Sequence, residues 1–450
     1  MQFFIIIRLD NSMRFIKTFF KRMLATKEKK VLVENFFSLS FLQVANYVLP
    51  LITLPYLVRI LGPAKYGLIA FAGAFITYFS ILTDYGFNLS ATREISINRE
   101  NKDKISEIFS SVMLIKFGLL VISFLILMGL VFVIPKFRND WLIYFFSFGM
   151  VLGQVLFPVW FFQGMEKMKY ITILNIMAKI IFTISIFVFI KEMQDYIYVP
   201  LITSLGFLVA GVLGLWIVHR EFKINFIFPG FESIKYQLKE GWHIFISTMS
   251  ISLYTTSNIF ILGLFTNNTI VGYYSAAEKL VKAVQKLLLP VSQTIYPYIS
   301  KLVSISKERA LNFIRKVTIL VASGTFAVSL AIFIFAKPIV GLILGGQYQE
   351  SVIVLRILAF LPFVIGLSNI FGIQTMLTFN LKKVFSKILI SAGILNIAFA
   401  IILAPIYKHI GISIAVLITE IFVTTAMFLY LMYKGLIPFK CLLVGETNEK

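Results

Sequence analysis

Twelve apolar stretches, each long enough to cross about 30 Å of hydrocarbon at about 1.5 Å per residue, follow one another along this chain. They run near 36–60, 66–86, 112–134, 141–162, 171–190, 197–218, 242–265, 270–299, 317–336, 351–378, 388–404 and 412–433. In lipid, every backbone N–H and C=O must be satisfied inside its own segment, so stretches of this kind are helices. The expected fold class is an all-α polytopic membrane protein with twelve transmembrane helices. Composition agrees, because only 14% of the 450 residues are charged, against about 25% in a soluble globular chain.

Lysine and arginine test the segment boundaries, since connections on the cytoplasmic side carry them in excess. Of the 42 basic residues, 29 fall in the N-terminal arm, the tail and the connections on the same side. Only Arg59, Lys65, Lys136, Arg138, Lys191, Lys337 and Lys408 fall on the other side. Both termini are therefore expected in the cytoplasm, and the short outer connections leave no room for an external catalytic domain. The formal charge of +21 reads as basic loops facing anionic lipid, not as a nucleic-acid surface.

The single cysteine, Cys441, excludes an intrachain disulfide framework, and His219, His243 and His409 have no partners at metal-ligand spacing. No metal site or cofactor is expected. Near the N-terminus, Phe3 to Ile7 is too short for a signal-peptide core. Phe15, Ile16, Phe19, Phe20 and Met23 share a helical face opposite Arg14, Lys17 and Lys21. That pattern suits a helix lying in the plane of the inner leaflet; the alternative is a translation start at Met13 or Met23.

Six basic residues remain inside the expected spans: Lys116, Lys179, Lys279, Lys282, Lys286 and Arg356. Lys279, Lys282 and Lys286 recur at three- and four-residue spacing, which aligns them on one helical face. A charge at the centre of a spanning helix costs about 2.5–3.5 kcal/mol on insertion scales, so such a stripe belongs against a wet cavity and not against lipid. These lysines, with Lys179, are candidates for binding an anionic substrate. The bland reading pairs Glu278 with Lys282 at i to i+4 and lets the others snorkel. Lys116 and Arg356 lie within about two turns of a span end, where snorkelling and binding are equally served.

Acids inside the spans are the candidates for gating or ion coupling. Asp84, in DYGFNLSATR, precedes Arg93 by nine residues, and the two read either as a lock between moving parts or as a turn cap and a topological charge. Glu278 and Glu420 are acids able to take up a proton if transport is ion-coupled. Pro50, Pro55, Pro158, Pro290, Pro297 and Pro362 each remove a backbone bond and permit a kink. Aromatics such as Tyr47, Tyr56 and Tyr78 suit stacking on sugar rings or ordinary helix packing.

A weak internal repeat organises the chain. Setting residue 34 against residue 239 aligns the apolar runs of the two halves and places Gly67 on Gly272 and Ala72 on Ala277. Later, Gln163, Gly164 and Met165 resemble Gln374, Thr375 and Met376 at a similar offset. Two six-helix lobes related by a pseudo-two-fold axis follow, with a substrate path between them. The expected divisions are a basic arm (1–35), an N-lobe (36–222), a connection (223–240), a C-lobe (241–434) and a tail (435–450).

Three stretches carry a resemblance to a known family: NFFSLSFLQVANYVLPLITLPYLVRILGPAKYG from Asn35, YFSILTDYGFNLSATREI from Tyr78 and WFFQGMEKMKYI from Trp160. The chain resembles the oligosaccharide flippases of bacterial O-antigen and related polysaccharide pathways, within the multidrug, oligosaccharidyl-lipid and polysaccharide exporter superfamily. The resemblance is strongest over about residues 31–190, and residues 1–30 have no counterpart in it. It implies a MATE-like, two-lobe transporter in the inner membrane that moves undecaprenyl-pyrophosphate-linked repeat units from the cytoplasmic to the periplasmic leaflet. It also implies a polysaccharide polymerase and a chain-length regulator as partners. Multidrug or cation antiport on the same fold is the alternative, disfavoured because the spans hold more lysines than acids. A membrane glycosyltransferase or polymerase would need a large outer loop, paired carboxylates or a phosphate-cradling glycine loop, and none is present, so no enzymatic activity is expected.

Overall fold

The computed structural model describes the backbone of residues 27–436 and the side chains of 49–249, 252 and 256–436. The expected in-plane helix around Phe15 to Met23, Cys441 and the side chain of Tyr47 lie outside the described residues.

In chain order the helices are α1 (Lys27–Asp84), α2 (Phe87–Ile97), α3 (Lys102–Val133), α4 (Pro135–Arg138), α5 (Trp141–Leu156), α6 (Val159–Gly164), α7 (Met168–Phe189) and α8 (Tyr198–Phe222) in the first half. The second half holds α9 (Phe231–Thr255), α10 (Ser257–Phe265), α11 (Asn268–Lys286), α12 (Leu288–Ile305), α13 (Lys307–Ile334), α14 (Ala336–Ile339), α15 (Ser351–Leu358), α16 (Leu361–Asn369) and α17 (Lys382–Tyr433).

Two helices are too long to be single spans. The 58 residues of α1 would reach about 87 Å if straight, nearly three hydrocarbon thicknesses. The chain breaks at Gly62 (φ 67, ψ 172), immediately before Pro63. Glycine supplies the positive φ without a Cβ clash, and proline cannot donate to the preceding turn. The 52-residue α17 breaks likewise at Lys408 (φ 51, ψ −130), just after Pro405. Of the expected proline kinks, Pro158, Pro290 and Pro362 lie where one helix gives way to the next, whereas Pro50 and Pro55 are carried within α1.

Among the described residues, eight helical stretches are long and apolar enough to cross a membrane, against the twelve expected. The difference has a physical cause. Leu49–Ile97 and Lys382–Tyr433 are counted once each but contain the breaks at Gly62 and Lys408. The expected seventh and eighth spans are assembled from α9 to α12, of which α10 has only nine residues and α11 carries Glu278, Lys279, Lys282 and Lys286. The lysine-bearing stretch is divided at Leu287, which keeps helical backbone angles (φ −66, ψ −18) between α11 and α12.

Apolar packing is organised in three clusters. One draws on both halves, joining Val58, Phe71 and Tyr144 to Leu262, Val271 and Leu355. A second is built around Phe87, Trp160 and Phe161 of the first half, and a third around Ile299, Ile314 and Met427 of the second. The halves thus share a core at one end of the molecule and centre separate cores at the other, where Ile234 and Leu238 of α9 pack against the first half; we call these the shared end and the split end.

At the shared end α1 and α11 cross backbone to backbone. A Cβ on Gly67 would overlap the Asn268 carbonyl oxygen and stand 2.5 Å from the Gly272 nitrogen, while a Cβ on Gly272 would overlap the Pro63 carbonyl oxygen. The offset that places Gly67 on Gly272 also places Pro63 on Asn268. The contact is reciprocal, as a local two-fold axis through it requires. Around it, Arg59 donates to the Leu342 carbonyl, and Lys136 donates to the carbonyls of Gly263 and, at 2.8 Å, Thr266. These cations lie at helix C-termini, where unpaired carbonyls concentrate negative partial charge.

Candidate functional site

Between the halves lies a cavity of about 330 Å³. The first half contributes Tyr66 and Thr77 from α1 and Thr203 from α8; the second contributes Ser275, Lys279 and Lys282 from α11. Amphipathic α11 explains the arrangement. Its apolar face, including Ala277, Leu280 and Val281, is buried in the shared core, and the lysines fall on the opposite face. The Lys279 ammonium lies 5.1 Å from the centre of the Tyr66 ring, a cation–π contact that holds it at the interface of the halves.

Lys282 lines this cavity and also a second one, of about 200 Å³, inside the second half. Its ammonium sits 2.9 Å from a carboxylate oxygen of buried Glu278, which also accepts the Tyr274 hydroxyl at 3.2 Å. The i to i+4 pair of the bland reading is thus present, and it does not remove Lys282 from the cavity. Glu420 lines the inner cavity of the second half with Asn258, Asn396 and Thr419. Lys286 is exposed at the C-terminal end of α11, within electrostatic reach of Lys282 and of Lys179 on α7. Lys286 itself lines none of these cavities.

Lys179 lines a cavity of about 200 Å³ in the first half that shares Thr203 with the central one. Lys116 does not snorkel: it is 3% exposed and lines a further cavity together with Asp84. Arg356 is exposed on α15 and lines none of these cavities. It is not brought together with the other basic candidates.

The expected Asp84–Arg93 lock is not formed. Asp84 accepts the Asn88 amide at 2.7 Å, because the tight turn at Tyr85 (φ 48) and Gly86 (φ 80) starts α2 in a new direction. Arg93 instead approaches Glu240 of α9 at 3.9 Å. This pair belongs to a seam across the split end, where Tyr236 donates to Glu94 at 3.3 Å and Tyr85 stacks on Phe245 at 5.0 Å. The tyrosines weighed for sugar stacking serve packing: Tyr56 donates to the Ile190 carbonyl at 2.7 Å, and Tyr78 bonds Ser257 at 2.8 Å.

Sequence reasoning missed Glu240 as the partner of Arg93, and it missed the carboxamides Asn88, Gln154, Asn175, Asn258 and Asn396 that line the cavities of the two halves. A signal existed, since carboxamides inside apolar spans need polar surroundings for the same reason that lysines do. Among the described residues no cluster of three or more histidine, cysteine, aspartate or glutamate side chains is placed to hold a metal ion.

Residues 32–303 match the family model described as "Polysaccharide biosynthesis protein". The chain belongs to the polysaccharide biosynthesis protein family. It is 38% identical over 402 residues to an Escherichia coli K12 protein named "Putative O-antigen transporter", spanning 89% of this chain and 97% of that one. It is 29% identical over 405 residues to a Shigella dysenteriae protein of the same name, spanning 88% and 98%. Among solved structures, an inward-facing multidrug resistance MATE transporter of the MOP superfamily superposes with a TM-score of 0.69 at 14% identity, covering 86% of this chain and 95% of that one. The lipid II flippase MurJ in an inward closed conformation gives 0.66 at 14% identity, covering 90% and 89%. The fold of this family member is thus the MATE and MurJ fold, in an all-helical, multi-pass membrane protein. It is a transporter-family protein and not an enzyme.

Proposed function

We propose that the protein carries undecaprenyl-pyrophosphate-linked oligosaccharide repeat units from the cytoplasmic to the periplasmic leaflet of the inner membrane, for O-antigen or related polysaccharide assembly. On this reading the chain crosses twelve times, as two six-helix lobes (36–222 and 241–434), with both termini cytoplasmic and the split end facing the cytoplasm. The observation that carries it is the placing of Lys279 and Lys282 in a cavity between the halves that adjoins the cavity of Lys179, in a family whose curated relatives are named as O-antigen transporters. Ammonium groups bind phosphate oxygens as point charges and need no fixed fork geometry. A moving diphosphate can therefore pass from one to the next.

The headgroup enters through the split end once the Arg93–Glu240 seam opens. The lysines neutralise the diphosphate while the lipid tail stays in the bilayer, and the lobes then rock about the shared end. Glu278 and Glu420 are the groups on which ion coupling would act, because Glu278 holds the Lys282 ammonium and both acids line the inner cavity of the second half. Multidrug efflux is disfavoured on the same fold, since a cationic drug would meet lysines. A polymerase and a chain-length regulator would receive the product at the periplasmic face.

The test is the sidedness of lipid-linked repeat units in a strain lacking the protein. Units should accumulate on the cytoplasmic leaflet and be cleared when the protein is restored, but not by the Lys282→Ala, Lys286→Ala variant present at equal level in the membrane. Units reaching the periplasm without any transporter would overturn the reading; clearance by the variant would overturn the lysine assignment.

A further inference from the structure

The first half contains a chamber of about 240 Å³ that the lysine path does not account for. Helices α1, α2, α3, α5, α7 and α8 supply its walls, and its polar lining includes Asp84, Asn88, Lys116, Gln154 and Asn175. Lys116 is 97% removed from solvent, yet among the described residues its ammonium makes no hydrogen bond and no ion pair within 4 Å. The hydroxyl of Ser80, on the same wall, is buried without a partner. Asp84 faces the chamber while accepting the Asn88 amide at 2.7 Å and the backbone N–H of Gly86, and Asn175 gives one N–H to the Ile171 carbonyl at 2.9 Å. Buried polar groups are ordinarily satisfied, and a buried ammonium without an acceptor is costly. The chamber is therefore built for an occupant that both donates and accepts.

Charge narrows the class of that occupant. One ammonium and one carboxylate leave the lining without net charge, so a free anion would meet Asp84 and a free cation would meet Lys116. Carboxamides and hydroxyls offer donors and acceptors in mixture, and the rings of Phe157 and Phe207 complete the wall with apolar faces. A neutral ring bearing several hydroxyl or acetamido groups matches this lining on every count. The chamber also adjoins the proposed diphosphate path: it shares Asn175 and Phe207 with the cavity of Lys179, which shares Thr203 with the central cavity.

We propose that this chamber is a carbohydrate subsite, taking one neutral sugar ring of the headgroup whose diphosphate is held at Lys279 and Lys282. The proposal rests on the lipid-linked oligosaccharide reading above and assigns the two ends of the substrate to different halves of the protein. The lysine path then binds every member of the substrate class, and the chamber selects among sugars.

Binding to the purified protein in nanodiscs tests this with two probes: bare undecaprenyl pyrophosphate, and the lipid-linked repeat unit extracted from a strain lacking the transporter. Wild type should bind the sugar-bearing lipid at least about tenfold more tightly, the equivalent of one or two net hydrogen bonds. The Gln154→Leu, Asn175→Leu variant should lose most of that preference and keep its affinity for the bare lipid, which also reports that it is folded. The Asp84→Asn, Lys116→Met variant, which removes both charges together, should do the same. Asn175→Leu alone decides the matter where a double variant loses both lipids. Lys282→Ala should weaken both lipids alike. Equal binding of the two probes by wild type would mean that the chamber holds water only, and it would overturn the subsite while leaving the diphosphate reading intact. Preference surviving in all chamber variants would overturn it too. Failure of wild type to bind either lipid would remove the underlying reading and the subsite with it.

Discussion

Lys116 and Asp84 face one buried chamber without forming a close pair, and that arrangement makes single substitutions there asymmetric. Lys116→Met removes the cation facing the buried Asp84 carboxylate, a loss smaller than the about 3–5 kcal/mol of breaking a buried pair in contact. Removing Asp84 as well relieves it. We expect Lys116→Met to lower the melting temperature of the detergent-solubilised protein by several degrees and Asp84→Asn in the same chain to restore most of it; additive losses would show that the two charges do not interact. The sequence revealed which cations sit inside spans, because insertion energetics single them out. It did not reveal their partners. Arg93 and Asp84 are close in sequence, but the left-handed turn at Tyr85 and Gly86 redirects α2, so that Arg93 meets Glu240 instead. Nor did it separate Arg356 from the others, since an exposed arginine and a cavity arginine read alike in a string of residues.

Helix α11 shows what the pattern could and could not predict about an element. The three- and four-residue spacing of its lysines gave the face, and the internal repeat set Gly67 against Gly272 as equivalents without showing that they meet. The division at Leu287 left no mark in the sequence because apolar residues continue through it. Where α1 and α11 cross, any side chain must push backbone apart. Gly67→Ala should therefore destabilise the protein by on the order of 1–3 kcal/mol. Gly118→Ala on α3, where a methyl group meets nothing within 4 Å, should be neutral or mildly stabilising; comparative thermal unfolding checks both. The ion pair in the seam between α2 and α9 is a weaker contact. Arg93 and Glu240 are partly exposed, so a double-mutant cycle should give a coupling of about 0.2–1 kcal/mol that shrinks as salt is raised.

Across the whole molecule, one tightly joined end and one seamed end predict unequal freedom. With Cys441→Ser removing the native thiol, Arg93→Cys and Glu240→Cys joined by a short bismaleimide should hold the split end shut and stop transport. The uncrosslinked pair should remain active; transport unaffected by the link would refute a gate at this position. That the chain is all-helical and crosses the membrane several times was readable from composition, because lipid imposes helices segment by segment. The three clusters and the chambers were not, since they depend on which faces meet, and a one-dimensional pattern does not record that. The Glu278–Lys282 pair has a last consequence for turnover. An ammonium that already has a counterion gives an arriving phosphate only the difference between two attachments. Affinity is thereby held down and residence time kept short, so that a carrier lined with cations releases its cargo and does not become a trap for it.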